Sequence, residues 1–132
     1  MAQENVEIAR RAYAAFNRHD FDAALEGLDP EVEWHQITQF PDRAVYRGRE
    51  DMKDRFWNQQ LVEQFGDFRI DVEEFVDAGD HVVMLGHIVG HGTASGVPIR
   101  LRVINILEMR DGRIIRAYDV AGPALDATGL SE

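Results

Sequence analysis

Midway along this chain the spacing of apolar residues changes period, and that change limits the fold more than any single motif does. From Asp67 onward they recur at every second position. "FRIDVEEFVDAGD" turns at Ala78-Gly79-Asp80 into "HVVMLGHIVGHG", "TASG" leads into "VPIRLRVINILEM", and "RDG" leads into "RIIRAYDV". Alternation bounded by Gly- and Asp-containing turns predicts four strands joined as an antiparallel meander. Before Asp67 the spacing is helical. "ENVEIARRAYAAFNRHD" puts Val6, Ala9, Tyr13 and Phe16 on one stripe, widened by Ile8 and Ala12. "DFDAALEGL" predicts a second, short helix, capped by Asp20 or Asp22 and broken at Asp29-Pro30. "RGREDMKDRFWNQQLVEQF" predicts a third after Gly48, with Met52, Phe56, Leu61, Val62 and Phe65 as its apolar residues. One strand, "EVEWHQI", interrupts the helices, with Val32 and Trp34 on one side and Glu31, Glu33 and His35 on the other; the following "TQFPD" reads as loop.

Helices first and a hairpin sheet afterwards predict an α+β fold in which helices cover one face of a curved, mainly antiparallel sheet. Glycines 86, 90, 92 and 96 fall inside or beside strands, where they mark bends, bulges or close backbone approaches. A chain of 132 residues holds one core, so residues 1–132 are read as a single domain.

Charge and composition then narrow the partners. Fourteen basic against 24 acidic residues give a formal charge of -10, and the arginines are spread from Arg10 to Arg116 with no basic cluster. Such a surface repels phosphate, so neither nucleic acid nor an anionic membrane is expected as a partner. No apolar run reaches the roughly 20 residues of a membrane-spanning helix. The first residues lack the basic start and apolar centre of a secretory signal, which reads as a cytoplasmic protein. With no cysteine, disulfides and thiolate chemistry are ruled out. His87 and His91 stand four apart, but on a strand that separates them by about 13 Å at roughly 3.3 Å per residue, so no metal site is expected. His19 and His81 read as solvated, and Asp71, Glu73, Glu74 and Asp77 as an exposed strand face. A small apolar or weakly polar organic ligand, bound without a cofactor, remains.

Several stretches taken together resemble one family: "AAFNRHDFDAALEGLDPEVEW", "YRGREDMKDRFW", the glycine-marked strand pair, "RDGRIIRAYD" and the ending "ALDATGL". From about Val6 to Leu130 the chain resembles the SnoaL-like branch of the nuclear transport factor 2-like superfamily, which also holds the ketosteroid isomerases. The resemblance implies a cone-shaped domain whose strongly bent sheet wraps the N-terminal helices around a mostly apolar pocket open at one end. It also implies a homodimer through the outer sheet face. The superfamily contains isomerases, polyketide cyclases, epoxide hydrolases, dehydratases and members that only bind, so the reaction has to be argued from residues.

By resemblance to the cyclases, Asp119 near the end of the last strand stands where their base stands. Strand parity groups Ile115, Ala117 and Asp119 on one face, and Arg116 on the other leans Asp119 inward; the alternative is a solvated strand end. Aligned on "VEWHQ", the place of the isomerases' general base falls on His35, which could equally point to water. Aligned on "INILEMRDG", the place of their oxyanion acid falls on Asn105, in phase with Leu101, Val103, Leu107 and Met109 and hence inward. Their oxyanion tyrosine falls on Ala12, leaving Tyr13 one residue off and about 100° round the helix. Steroid isomerisation of the usual kind is therefore not expected. Epoxide hydrolysis would need an arginine and an aspartate where Val103 and Asn105 stand, which argues against it, although Arg102 is adjacent. The leading expectation is a cofactor-free lyase or isomerase acting on an apolar carbonyl compound. Asp119 is its base, His35 and Asn105 its donors, and Tyr13, Trp34, Phe40, Phe56, Trp57, Met84 and Val103 its pocket walls. The rival reading is a binding domain that uses the same pocket without catalysis.

Overall fold

The computed structural model describes residues 2–37 and 44–121. Two helices, α1 (Ala2–Asn17) and α2 (Phe21–Leu25), precede strands β1 (Leu28–Ile37) and β2 (Ala44–Arg47). Helix α3 (Gly48–Asp51) continues without a break as a wider π-helical segment, Met52–Val62, and four strands follow: β3 (Phe65–Ala78), β4 (His81–Gly92), β5 (Pro98–Arg110) and β6 (Arg113–Ala121). The six strands form one open sheet in the order β2-β1-β6-β5-β4-β3. The meander β3 to β6 is antiparallel throughout; β1 runs parallel to β6, which makes the sheet mixed.

Strand β2 has no counterpart in the sequence reading, which leaves residues 44–47 unassigned between the "TQFPD" loop and the third helix; "AVYR" is too short to show a period. The expected loop "TQFPD" and Phe40 lie outside the described residues. The third helix differs from a regular α-helix for a legible reason. Its buried residues Met52, Phe56, Trp57 and Leu61 recur at intervals of four and five, which suits i→i+5 bonding and leaves Val62 exposed.

Curvature comes from β3. Two bulges interrupt its pairing with β4, one between Gly66 and Arg69 and the other between Val72 and Glu74. Each doubles residues on one strand against a single partner and bends the sheet. Asp67, inside the first, takes the left-handed conformation (φ 52°) that a short polar side chain tolerates. A glycine of β4 faces each bulge. A Cβ at Gly86 would stand 2.3 Å from the Asp71 carbonyl oxygen, and one at Gly90 3.1 Å from the Phe68 Cα.

Helix α1 lies in the concave face this creates. Ala9, Tyr13 and Phe16 are buried, and Phe16 packs edge-on to Trp57 and against Phe68. At its end Asn17 docks on the free edge of β3: its amide donates to the Ile70 carbonyl (2.9 Å) and accepts from the Ile70 N–H (2.8 Å). That edge strand thus has one backbone residue paired by a helix side chain. Gly86→Ala is expected to destabilise the protein by about 2 kcal/mol or more, because the backbone oxygen it meets cannot yield as a flexible side chain would. Urea unfolding measures it, and an unchanged midpoint would refute the close approach.

Candidate active site

Three neighbouring strands place three polar side chains in one row on the concave face. Gln36 of β1 and Asn105 of β5 are the two cross-strand partners of Asp119 on β6, so the carboxylate stands between two primary amides. Asp119 is only 8% exposed and Asn105 1%. Trp34, two residues before Gln36, shares its face, since side chains alternate along a strand. Its indole Nε1 donates to Asp119 Oδ2 at 3.2 Å, and Asn105 Nδ2 donates to Asp119 Oδ1 at 2.9 Å. Tyr13 reaches down from α1 and donates its hydroxyl to Asn105 Oδ1 at 2.5 Å. Each donor orients the next, from helix to sheet.

These groups open onto a cavity of about 280 Å³. Its walls are apolar and rich in aromatics, including Phe16, Phe56, Trp57, Leu61, Val103 and Ile114, with Gln36 and Gln60 as further polar residues. Among the described residues that line it there is no lysine, arginine or histidine. Burial therefore governs the ionisation here. It pushes the Asp119 carboxyl up from 3.8 to about 6, with the hydrogen bonds from Trp34 and Asn105 pulling the other way. Burial first, then the charge of Asp119, raises the Tyr13 phenol well above its ordinary value, so Tyr13 stays a donor. Among the described residues no three His, Asp or Glu side chains gather at metal-binding distance.

The sequence candidates separate into two groups. Asp119, Asn105, Tyr13, Trp34, Phe56, Trp57 and Val103 all line the cavity. Tyr13 does so, as a pocket wall should, despite lying about 100° round the helix from Ala12: the cavity is wide enough that both border it, and the long phenol reaches the row. His35 does not. With Trp34 and Gln36 facing inward, parity sends His35 to the outer face, where its ring stacks on Tyr118 (5.1 Å) and Nε2 lies 3.2 Å from Glu33 Oε1. Met84, next to Asn105 in the row, is fully buried but lies outside the lining. Its partner Phe75 meets the Tyr13 ring edge-on, so packed side chains fill that end. The parity of β6 also fails at its start. Ile115 is an extra residue opposite the Glu108–Met109 step, so Ile114 turns inward along with Ala117 and Asp119. Gln36 was not singled out from the sequence, although the alternation that put Trp34 inside puts it inside too.

A family model described as a SnoaL-like domain matches residues 9–117. An NTF2-like protein from Burkholderia thailandensis superposes with a TM-score of 0.81 at 24% identity, covering 97% of this chain and 98% of its own. TerC, co-crystallised with polyporic acid, gives 0.79 at 25% identity over 95% and 96%. IdmH of Streptomyces antibioticus, described as a candidate polyketide cyclase, gives 0.76 at 22% over 96% and 97%. No curated protein matches the sequence.

The raised value at Asp119 has a stability consequence with a definite sign. The folded state holds this proton more tightly than the unfolded chain, so the stabilisation is complete below about pH 4 and is lost as pH rises through about 6. At roughly 1.4 kcal/mol per pH unit this amounts to on the order of 3 kcal/mol. Relative to Asp119→Asn, the native protein should lose about that much unfolding free energy between pH 4 and pH 7.5. A constant difference between the two proteins across that range would mean that the carboxyl is solvated.

Proposed function

Because the chain belongs to the SnoaL-like domain family, we propose that its cavity carries out cofactor-independent acid–base chemistry, of the polyketide-cyclase or ketosteroid-isomerase kind, on an apolar carbonyl compound. The observation that carries this reading is the Asp119 carboxyl at the wall of an apolar cavity, fixed in orientation and raised to about 6. At neutral pH such a group is ionised yet more basic than a solvated aspartate, as a general base should be. Trp34 and Asn105 take one lone pair on each oxygen, and the remaining lone pairs are free to accept a proton.

The step follows from that arrangement. A proton on the carbon next to the substrate carbonyl passes to an Asp119 oxygen. The C–H electron pair becomes a C=C bond and the carbonyl π pair moves to oxygen. Protonated Asp119 then gives the proton back. In an isomerisation it goes to another carbon; in an aldol closure it goes to the alkoxide formed when the enolate carbon attacks a second carbonyl. Neutral amides in the row are the groups available to meet the developing negative oxygen; Asn105 keeps one amide proton beyond the one given to Asp119. His35, on the opposite face, has no part in this step. That one fold relative was crystallised with polyporic acid and another is described as a candidate cyclase supports a small organic ligand. Pure binding is the second reading, favoured by the fact that both nearest donors are committed to the carboxylate.

The same reading makes the protein a cytoplasmic homodimer. On the outer face Ile106 and Tyr118 are cross-strand partners, 37% and 36% exposed, and the His35 ring extends the patch. A second copy laid face to face buries this patch. Light scattering should report about twice the 15.0 kDa chain mass, and Ile106→Glu should return it to a monomer; a native monomer would refute the pairing. For the chemistry, Asp119→Asn should lower kcat on an enolisable substrate by about 100-fold or more, and native activity should rise with pH through about 6. An Asp119→Asn protein that changes affinity alone would establish the binding reading instead.

A further inference from the structure

Building on the proposed proton transfer, the site poses a question of donors. The step moves one negative charge from Asp119 to a substrate oxygen, and among the described residues no cationic side chain lines the cavity to receive it. Neutral donors must do so, and most are already committed. The single N–H of Trp34 goes to Asp119, and the Tyr13 hydroxyl goes to Asn105. Asn105 is held at both ends of its amide, so its remaining proton points in one fixed direction, from a residue that is almost wholly covered.

We propose that the side-chain amide of Gln36 is the donor that holds the substrate's carbonyl oxygen. Three observations converge on it. Gln36 is the cross-strand partner of Asp119, on the side opposite Asn105, and paired strands lie about 4.8 Å apart. Its side chain lines the cavity and is half-buried. Among the described residues its amide makes no hydrogen bond, so both protons are available. It is also one methylene longer than Asn105, which lets it follow an oxygen that the carboxylate itself does not touch. A ligand that presents an acidic C–H to Asp119 thus places its oxygen against Gln36, within the reach of a side chain on the adjacent strand. The ligand class this selects is a neutral carbonyl or hydroxyarene with an apolar body; a carboxylate-bearing ligand would meet Asp119 with no cation among the described lining residues to offset the repulsion.

The test uses 2-naphthol, whose oxygen mimics an enol on an apolar body, and naphthalene, which lacks that oxygen, both titrated by quenching of tryptophan fluorescence. In Gln36→Met, close in shape but without donors, 2-naphthol should bind about fivefold to tenfold more weakly while naphthalene is unchanged. Gln36→Leu, which likewise lacks donors, should weaken 2-naphthol as much and serves if the methionine variant folds poorly. An unchanged ratio of the two affinities in both variants overturns the role of Gln36. The underlying reading fails separately, and takes this proposal with it, if the native protein does not bind 2-naphthol or if Asp119→Asn leaves the pH dependence of that binding unaltered.

Discussion

A carboxylate taken into an apolar interior has to be given hydrogen bonds or keep its proton, and this requirement organises the molecule around Asp119. The donors come from three different elements. Trp34 belongs to β1, Asn105 to β5 and Tyr13, one bond removed, to α1. Satisfying one side chain of β6 therefore fixes the register of its two neighbours and the height of the helix above the sheet. The parallel pairing of β1 with β6 sets Trp34 opposite Ala117 and Gln36 opposite Asp119; a slip of one residue would bring Glu33 and His35 inward and leave the carboxylate without its indole donor. The polar row thus acts as a register device as well as a candidate site.

The cavity is a consequence of curvature, and curvature rests on a small number of backbone positions. Strand β3 bulges twice, and β4 answers with Gly86 and Gly90 where a side chain would strike backbone. The bent sheet stands away from α1 and the π-helical segment at one end. There aromatic side chains border a space that they do not fill. An unfilled apolar cavity and an ionised buried carboxylate both cost stability, and a fold retains such features where function uses them.

Much of this was legible in the sequence, and the exceptions have physical causes. The switch of period at Asp67, the turns and the stripe Ala9-Tyr13-Phe16 show helices on a meander because burial imposes those periods directly. The parallel pairing of β1 with β6 is not visible, since no local signal encodes which non-adjacent strands meet. Bulges defeat parity: one extra residue at Ile115 turns Ile114 inward, and nothing in "GRIIRAYDV" marks it. The error at His35 was of another kind. Parity already separated it from Trp34, but a histidine at neutral pH suggests acid–base chemistry by residue type alone, and that suggestion outweighed the alternation that points to Gln36. Tyr13 was legible as a pocket wall but its bond to Asn105 was not, because a 100° offset turns the Cα–Cβ bond without limiting where a long phenol ends.

Charge explains why neutral donors suffice at such a site. The proposed transfer leaves the total charge of the cavity unchanged: one negative charge enters the step on Asp119 and leaves it on a substrate oxygen nearby. A cation in the wall would stabilise the resting carboxylate, drag its value down toward that of a solvated aspartate and weaken it as a base. Amides and an indole do this less, and burial outweighs them, which is why the carboxyl remains near 6. Their dipoles are held in place before the reaction, by Tyr13 on Asn105 and by the sheet register on Trp34 and Gln36, so charge can move among them with little reorganisation. With no cation among the described residues of the cavity wall and a chain charge of -10, the proposed chemistry calls for ligands that arrive uncharged and acquire their charge only within the site.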